Sequence, residues 1–331
     1  MEEKQKKLKN DERLVSIRGL TVHAGGQVLL KDMELDIFDK DLLGVVGESG
    51  SGKTMLIRSL LNILPNECEW EATRFEMFGT NCIGLPANKW RQLVGANFGF
   101  VPQNTVYYLH PSIKIRKQIA DGFVAYGKGT YEQGIERAKE LLSKIGFDDP
   151  DRILNSYAWE LSGGMRQRVN IAMALMNSPR ILIADEPTTA LDAAIRRQIM
   201  DLFHEIAEQT GVAELIISHD LAMLRGYTRR LLVMYAGRPA ELGQTEELFN
   251  TPVHPYTKAL ISVIPRLGRD PEERLPEIPG FVPDSGREHP GCIFRDRCPH
   301  AVAACEQKVE VINMGGGHLC RCILAGGNNN G

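Results

Sequence analysis

The sequence predicts an α/β fold built on a mostly parallel, buried sheet, and three observations carry that prediction. Short apolar runs such as Leu42-Leu43-Gly44-Val45-Val46 and Ile181-Leu182-Ile183-Ala184 lack polar alternation, as strands covered on both faces do. Segments of helical period lie between such runs, the pattern of βαβ units. The first run also leads straight into Gly47-Glu48-Ser49-Gly50-Ser51-Gly52-Lys53-Thr54 and then into the helix-forming stretch 55–61. That is a strand, a glycine loop of the form G-x-x-x-x-G-K-[ST], and a helix.

The chemistry of the loop explains its spacing. Its glycines allow successive N–H groups to turn inward around phosphate oxygens, and the helix that follows points its positive end at the same anion. Lys53 is placed to reach the β- and γ-phosphates, and the Thr54 hydroxyl to ligate Mg²⁺. The alternative is a chance glycine-rich turn, and the flanking strand and helix argue against it. The loop reads as a nucleoside triphosphate site.

The 331 residues leave room for two domains or one domain with an appendage. Apolar content of 43% and charged content of 24% are those of a soluble globular protein, and a net charge of −3 argues against a strongly basic nucleic-acid binder. No apolar window approaches the ~18–20 residues that span a bilayer, and the N-terminus lacks the apolar core of a signal peptide. The expectation is a cytoplasmic chain that reaches a membrane only through a partner. Cys68 and Cys82 stand alone and read as small buried or half-buried residues, whereas Cys292, Cys298, Cys305, Cys320 and Cys322 crowd the C-terminal end. In a reducing compartment such a cluster points to a metal site rather than disulfides.

In order, 14–18 and 33–37 alternate as half-exposed strands around a turn at Ala24-Gly25-Gly26, and 98–101 is a strand delivering Gln103 to a loop. Residues 110–178 read as a helical insertion. Within it, Ile135, Ala138, Leu142 and Ile145 share one face of a helix, and a further helix starts near Ser162. After the strand at 181–184 come a helix from about 194 to 209, a strand at 215–217 ending in Ser218-His219, and a hairpin turning at Ala236-Gly237. Beyond Asn250 the pattern decays. Pro265, Pro271, Pro276, Pro279, Pro283 and Pro290 mark a linker to the cysteine cluster, and Gly326–Gly331 reads as disordered. The expected division is a flexible tail (1–12), a nucleotide-binding domain (13–250) and a C-terminal extension (251–331).

Two further motifs bear on the nucleotide. Asp185-Glu186 ends a buried strand, where carboxylates sit beside ligands in such sheets. Asp185 suits Mg²⁺, and Glu186 suits polarising the attacking water. Leu161-Ser162-Gly163-Gly164-Met165 opens a helix with a good N-cap and two glycines, a second anion site. One triphosphate rarely needs two such sites, so the second is expected to serve nucleotide bound by another subunit.

At this point the chain resembles the ATP-binding-cassette (ABC) ATPases. Gly47–Thr54, Gln103, 161–168, 181–186, Ala190-Leu191-Asp192 and His219 follow, in order, the Walker A motif, Q-loop, signature, Walker B motif, D-loop and switch histidine. The resemblance implies a P-loop NTPase fold: a RecA-like core with a helical subdomain, an antiparallel β subdomain and, here, a small Cys-rich extension. It also implies a head-to-tail dimer that sandwiches two ATPs, with Ser162, Gly163 and Gly164 acting in trans. Gln103 would then sense Mg²⁺ and the membrane partner, and His219 would contact the γ-phosphate.

The stretches 165–169, 233–238, 254–260 and 291–299 narrow the resemblance to the dipeptide/oligopeptide/nickel importer branch, and "LSGGM" is similar to the first of its two non-identical ATPase subunits. Implied partners are the second ATPase subunit, two transmembrane permease subunits and an extracytoplasmic substrate-binding protein, with no nucleic acid. The implied place is the cytoplasmic face of the cell membrane. Spacing alone leaves iron–sulfur, zinc or no metal open for the cysteines. The resemblance implies a [4Fe–4S] cluster on Cys292, Cys298, Cys305 and Cys322, the last lying four residues after His318, with Cys320 as the alternative fourth ligand. Two departures stand out. No aromatic stands near position 24 to stack on adenine, with His23 the possible substitute, and Tyr157-Ala158-Trp159-Glu160 replaces Tyr-Pro-His-Glu before the signature. The competing readings are a soluble ABC-type ATPase acting on nucleic acid or ribosomes, and a redox-sensing tail with the ATPase as its effector.

Overall fold

The computed structural model describes residues 12–104, 108–189, 191–264, 277–283 and 289–329. The expected tail up to residue 11, Ala190 of the D-loop, Pro265, Pro271 and Pro276 of the linker, and the terminal Asn330 and Gly331 lie outside the described residues. The strands are β1 (Arg13–Ala24), β2 (Gln27–Phe38), β3 (Leu42–Val46), β4 (Cys68–Glu71), β5 (Arg74–Met77), β6 (Thr80–Asn81), β7 (Phe98–Val101), β8 (Ile181–Asp185), β9 (Ala213–Ile217), β10 (Arg230–Tyr235), β11 (Arg238–Gln244), β12 (Ile312–Gly315) and β13 (His318–Cys320). The helices are α1 (Lys53–Leu61), α2 (Ala87–Asn97), α3 (Ile115–Ala125), α4 (Tyr131–Lys144), α5 (Pro150–Asn155), α6 (Gly163–Leu175), α7 (Ala193–Thr210), α8 (Leu221–Tyr227), α9 (Thr245–Asn250) and α10 (Pro255–Ser262). None of them is long and apolar enough to cross a membrane.

The described residues fall into two compact units. The first holds Glu12, Phe38–Asp41 and Gly84–Ile217. Its strands β7, β8 and β9 run parallel, with Phe98 beside Ile181 and Ile181 beside Ala213, and β8 and β9 are buried along their whole length. The continuous apolar runs of the sequence come from covering on both faces. Helices α3 to α6 fill the expected insertion and share one core with the sheet, in which Ile119, Ala138, Leu142, Ile153 and Val169 pack with Val101, Leu182 and Ala184. The four residues expected on one face of α4 are all buried. That helix starts on a reciprocal cap, Thr130 Oγ1 accepting the Gln133 N–H while Gln133 accepts the Thr130 N–H.

The second unit holds Arg13–Ile37, Leu42–Ile83 and the described residues from Ser218 onward. An antiparallel sheet runs β2-β1-β5-β6, with β4 also pairing β1, and the turn at Gly25-Gly26 falls where expected. A second set of strands runs β12-β13-β11-β10-β3, in which β3 and β10 are parallel and the other pairs antiparallel. The cysteine-rich segment is thus stitched into this set, with Glu241 opposite Cys320 and Leu242 opposite Leu319. Its apolar Cys320, Cys322 and Ala325 pack with Val253 and Ile312. The decay expected after Asn250 gives way to α10. Pro255 begins it and His254 caps it, but eight residues are too few to show a period.

Candidate functional site

In the second unit, β3 delivers the chain into the glycine loop and α1 begins at Lys53. Gly52 holds φ at 94°, a left-handed value that strains any side chain, and a Cβ on Gly47 would strike the Met234 carbonyl oxygen. No side chain caps α1, which suits a helix end that faces an anion. Lys53 is buried, and its Nζ donates to Gly47 O at 2.8 Å, Glu48 O at 3.0 Å and Ser51 Oγ at 3.2 Å, which keeps the ammonium on the loop. Ser49, Gly50 and Thr54 are exposed. The hairpin turn between β10 and β11 braces the loop, as the Gly237 N–H donates to Ser51 O at 3.0 Å. His219 is exposed beside Ser218, whose N–H donates to Val45 O at 3.2 Å on the strand that leads into the loop.

In the first unit, buried Asp185 closes β8. Glu186 follows with φ at 46°, an uncommon conformation for a residue with a side chain. It is held there by its N–H to Ile217 O at 2.9 Å and by two donors on one carboxylate oxygen. Gln103 Nε2 and Thr189 Oγ1 each reach Oε2 at 2.9 Å. Backbone strain over-determined in this way collects at working sites. Ser162 Oγ accepts the Met165 N–H at 3.3 Å, and Gly163 and Gly164 open α6 behind it. Asp192 caps α7, its Oδ1 accepting the N–H groups of Ala194 and Ile195 at 3.1 and 3.0 Å. Ahead of the signature, Tyr157 and Trp159 stack with centroids 6.0 Å apart, and Trp159 is exposed. In the second unit, His23 stands opposite Glu69 in the β1–β4 pair, next to the turn where an aromatic was lacking.

The cysteines divide. Cys292, Cys298, Cys305 and Cys322 line one cavity of about 330 Å³, its open mouth included, and Cys320 does not line it. Cys320 lies instead on β13 opposite Glu241. Backbone N–H groups two residues on, at Phe294, His300 and Leu324, favour the thiolates of Cys292, Cys298 and Cys322. Burial nevertheless pushes these three thiols above their ordinary pKa. As the side chains lie, no three His, Cys, Asp or Glu groups among the described residues converge closely enough to hold a metal ion.

Three residues from the stretches that narrowed the resemblance, given no role there, act on the phosphate loop. Tyr256 Oη accepts the Glu48 N–H at 3.0 Å, Arg297 pairs with the Glu48 carboxylate at 2.8 and 3.2 Å, and Tyr235 Oη accepts from Arg297 at 3.1 Å. With Glu48 and Arg297 lying 249 positions apart in the chain, no local pattern announces the pair.

Comparison with known proteins agrees with this geometry. Residues 30–189, from β2 through Glu186, match the ABC transporter family model, and residues 240–305, from β11 through Cys305, match the C-terminal region of oligopeptide/dipeptide transporters. A probable peptide ABC transporter ATP-binding protein of Sinorhizobium fredii is 38% identical over 93% of this chain and 94% of its own length. The chain belongs to the ABC transporter ATP-binding proteins. The dipeptide transport ATP-binding protein DppD of Escherichia coli is 34% identical over 91% of this chain and 93% of its own. Among solved structures, the dimeric post-hydrolysis state of the ATP-binding cassette MJ0796 bound to ADP and Pi is similar, with a TM-score of 0.62, 26% identity and coverage of 70% of this chain and 99% of that one. The fold is also that of cbiO1 from Clostridium perfringens, TM-score 0.63, covering 73% of this chain and 92% of that one. This ABC subunit is a P-loop ATPase that hydrolyses ATP in the service of transport, and ATP with Mg²⁺ is the substrate pair that its family implies.

Proposed function

We propose that this subunit energises import of dipeptides or oligopeptides, rather than nickel chelates, from the cytoplasmic face of the membrane. The observation that carries the cargo is the match of residues 240–305 to the oligopeptide/dipeptide transporter C-terminal region, and the peptide-transport relatives support it. The partners of this reading are a second, non-identical ATPase subunit, two permease subunits and an extracytoplasmic binding protein. Residues 13–250 act as the ATPase domain, with a helical subdomain at about 110–178, and 251–331 as its extension.

The site residues take the following roles. Backbone N–H groups of Gly47–Thr54 and the Lys53 ammonium hold the phosphates. Thr54 and Asp185 hold Mg²⁺, which when bound neutralises phosphate charge. Glu186 draws a proton from the attacking water while Gln103 and Thr189 hold its other charge-bearing oxygen in place. His219 contacts the γ-phosphate. Ser162, Gly163, Gly164 and Asp192 serve nucleotide on the second ATPase subunit. The exposed faces of Ser162 and Asp192 support that last assignment.

For the tail, the finer reading is a structural [4Fe–4S] cluster on Cys292, Cys298, Cys305 and Cys322. The shared cavity supports it, while the present spread of the thiols does not, so no step of the ATPase cycle is assigned to it. Cargo is tested by uptake of labelled peptide into cells lacking this chain. The wild-type chain restores uptake and Glu186→Gln does not, whereas restored nickel uptake without peptide uptake would overturn the cargo.

A further inference from the structure

The phosphate loop is gripped from outside by the C-terminal third of the chain, and the grip falls on one residue. Both polar ends of Glu48 are engaged, its N–H by Tyr256 Oη at 3.0 Å and its carboxylate by Arg297 at 2.8 and 3.2 Å. The Arg297 side chain is only 5% exposed, so it is a built group and not a surface cation that strayed near a carboxylate. All five of its N–H donors have acceptors. Nε donates to Pro279 O, Nη1 to Glu48 Oε2 and Tyr235 Oη, and Nη2 to Glu48 Oε1 and Ile278 O. Tyr235, Tyr256 and Phe294 pack around the pair with ring centroids 4.6 to 5.4 Å apart.

Glu48 poses a problem for a loop that must accept a triphosphate. A carboxylate one residue past the first loop glycine repels polyanionic phosphate, and the repulsion grows as the site loses water. A bidentate guanidinium answers this twice, by cancelling the charge and by fixing where the carboxylate points. Lysine would cancel the charge but not hold the fork.

We infer that Arg297 is a positioning residue for ATP, neutralising Glu48 and setting the first turn of the phosphate loop from within the cysteine-rich segment. The inference rests on the reading that Gly47–Thr54 holds the triphosphate.

The test is titration of the full-length chain with a fluorescent ATP analogue, with thermal melts alongside. Arg297→Gln weakens binding roughly tenfold, the loss of one charge-assisted pair, and Arg297→Lys falls between it and wild type. Adding Glu48→Gln to Arg297→Gln restores most of the affinity, because the unpaired charge is gone. A merely structural strut would show no such rescue. In the assembled transporter, Arg297→Gln raises KM for ATP and spares kcat. Wild-type affinity in Arg297→Gln, or a double variant as weak as the single one, overturns the inference. If Arg297→Gln does not fold, Glu48→Gln alone decides. It binds at least as tightly as wild type if charge is the issue, and a tenfold loss overturns the inference. Lys53→Ala is the control for the underlying reading. Full affinity there removes the phosphate-loop assignment and this inference with it, whereas loss there beside unchanged Arg297→Gln removes the inference alone.

Discussion

Gln103 and Glu186, 83 residues apart in the chain, meet at one hydrogen bond in which the amide Nε2 donates to the carboxylate Oε2 at 2.9 Å. Thr189 shares that oxygen, so one oxygen of the proposed base is spoken for and its orientation is set by two neutral donors. Glu186→Gln therefore keeps ATP binding and lowers turnover by about 10²–10⁴-fold, the contribution of a general base. Phosphate release and nucleotide titration on the same preparation check this. Unchanged hydrolysis would remove Glu186 as the base, and Gln103→Ala, which only loosens it, slows turnover less.

On the proposed pairing, the chain purified alone is expected to bind ATP but hydrolyse it poorly, because Ser162, Gly163 and Gly164 of a second subunit would be needed over the γ-phosphate. Steady-state ATPase rates with and without the partner subunit check this. Full activity in a monodisperse monomer would contradict it.

Glu214 is buried on β9, where its Oε1 finds no hydrogen-bond partner among the described residues, and burial pushes its carboxyl up from 4.5 to about 8. The folded chain thus keeps a proton that the unfolded chain releases, so this residue makes stability fall as pH rises from 4.5 to about 8. Glu214→Gln cannot ionise. Its Tm advantage over wild type is near zero at the acid end of that window and grows to several degrees at the alkaline end. Melts across the window check the slope, and an advantage that is independent of pH would refute the cause.

His318 pins β13 to β11. Its ring lies between Glu241 at 2.8 Å and Glu247 at 3.1 Å, with the Glu241 side chain fully buried. Glu241 also accepts the N–H groups of Val253 and His254, so it joins the cysteine-rich segment to the start of α10. His318→Ala leaves that buried carboxylate without its ring partner and costs about 3 kcal/mol. Limited proteolysis should release the segment after β11 in the variant before the rest of the chain is cut.

The four-thiol cavity makes a separate, compositional prediction. On the proposed cluster reading, chain prepared without oxygen is expected to carry iron and acid-labile sulfide with visible absorbance, all lost in Cys298→Ser but retained in Cys320→Ser, since Cys320 does not line the cavity. Zinc without sulfide would replace the cluster by a tetrahedral site, and neither metal would leave the thiols as packing groups.

Much of this was legible in the sequence because it is written in neighbouring residues. The glycine loop, the buried runs at β3 and β8, the Ser162 cap and the face of α4 depend on spacings of a few residues, and period and capping rules reach that far. The Gly47–Thr54 motif pointed to a phosphate site without any knowledge of the fold. The tertiary structure decided what surrounds that motif. It brought Gln103 onto Glu186, folded the cysteine-rich segment into the strands of the second unit, separated Cys320 from the other four thiols, and set Arg297 against Glu48. These relationships join residues far apart in the chain, and their energy comes from burial and charge pairing that exist only once the chain has packed. No local rule carries that information. The phosphate loop could be read from eight consecutive residues, but what holds its second residue in place could not.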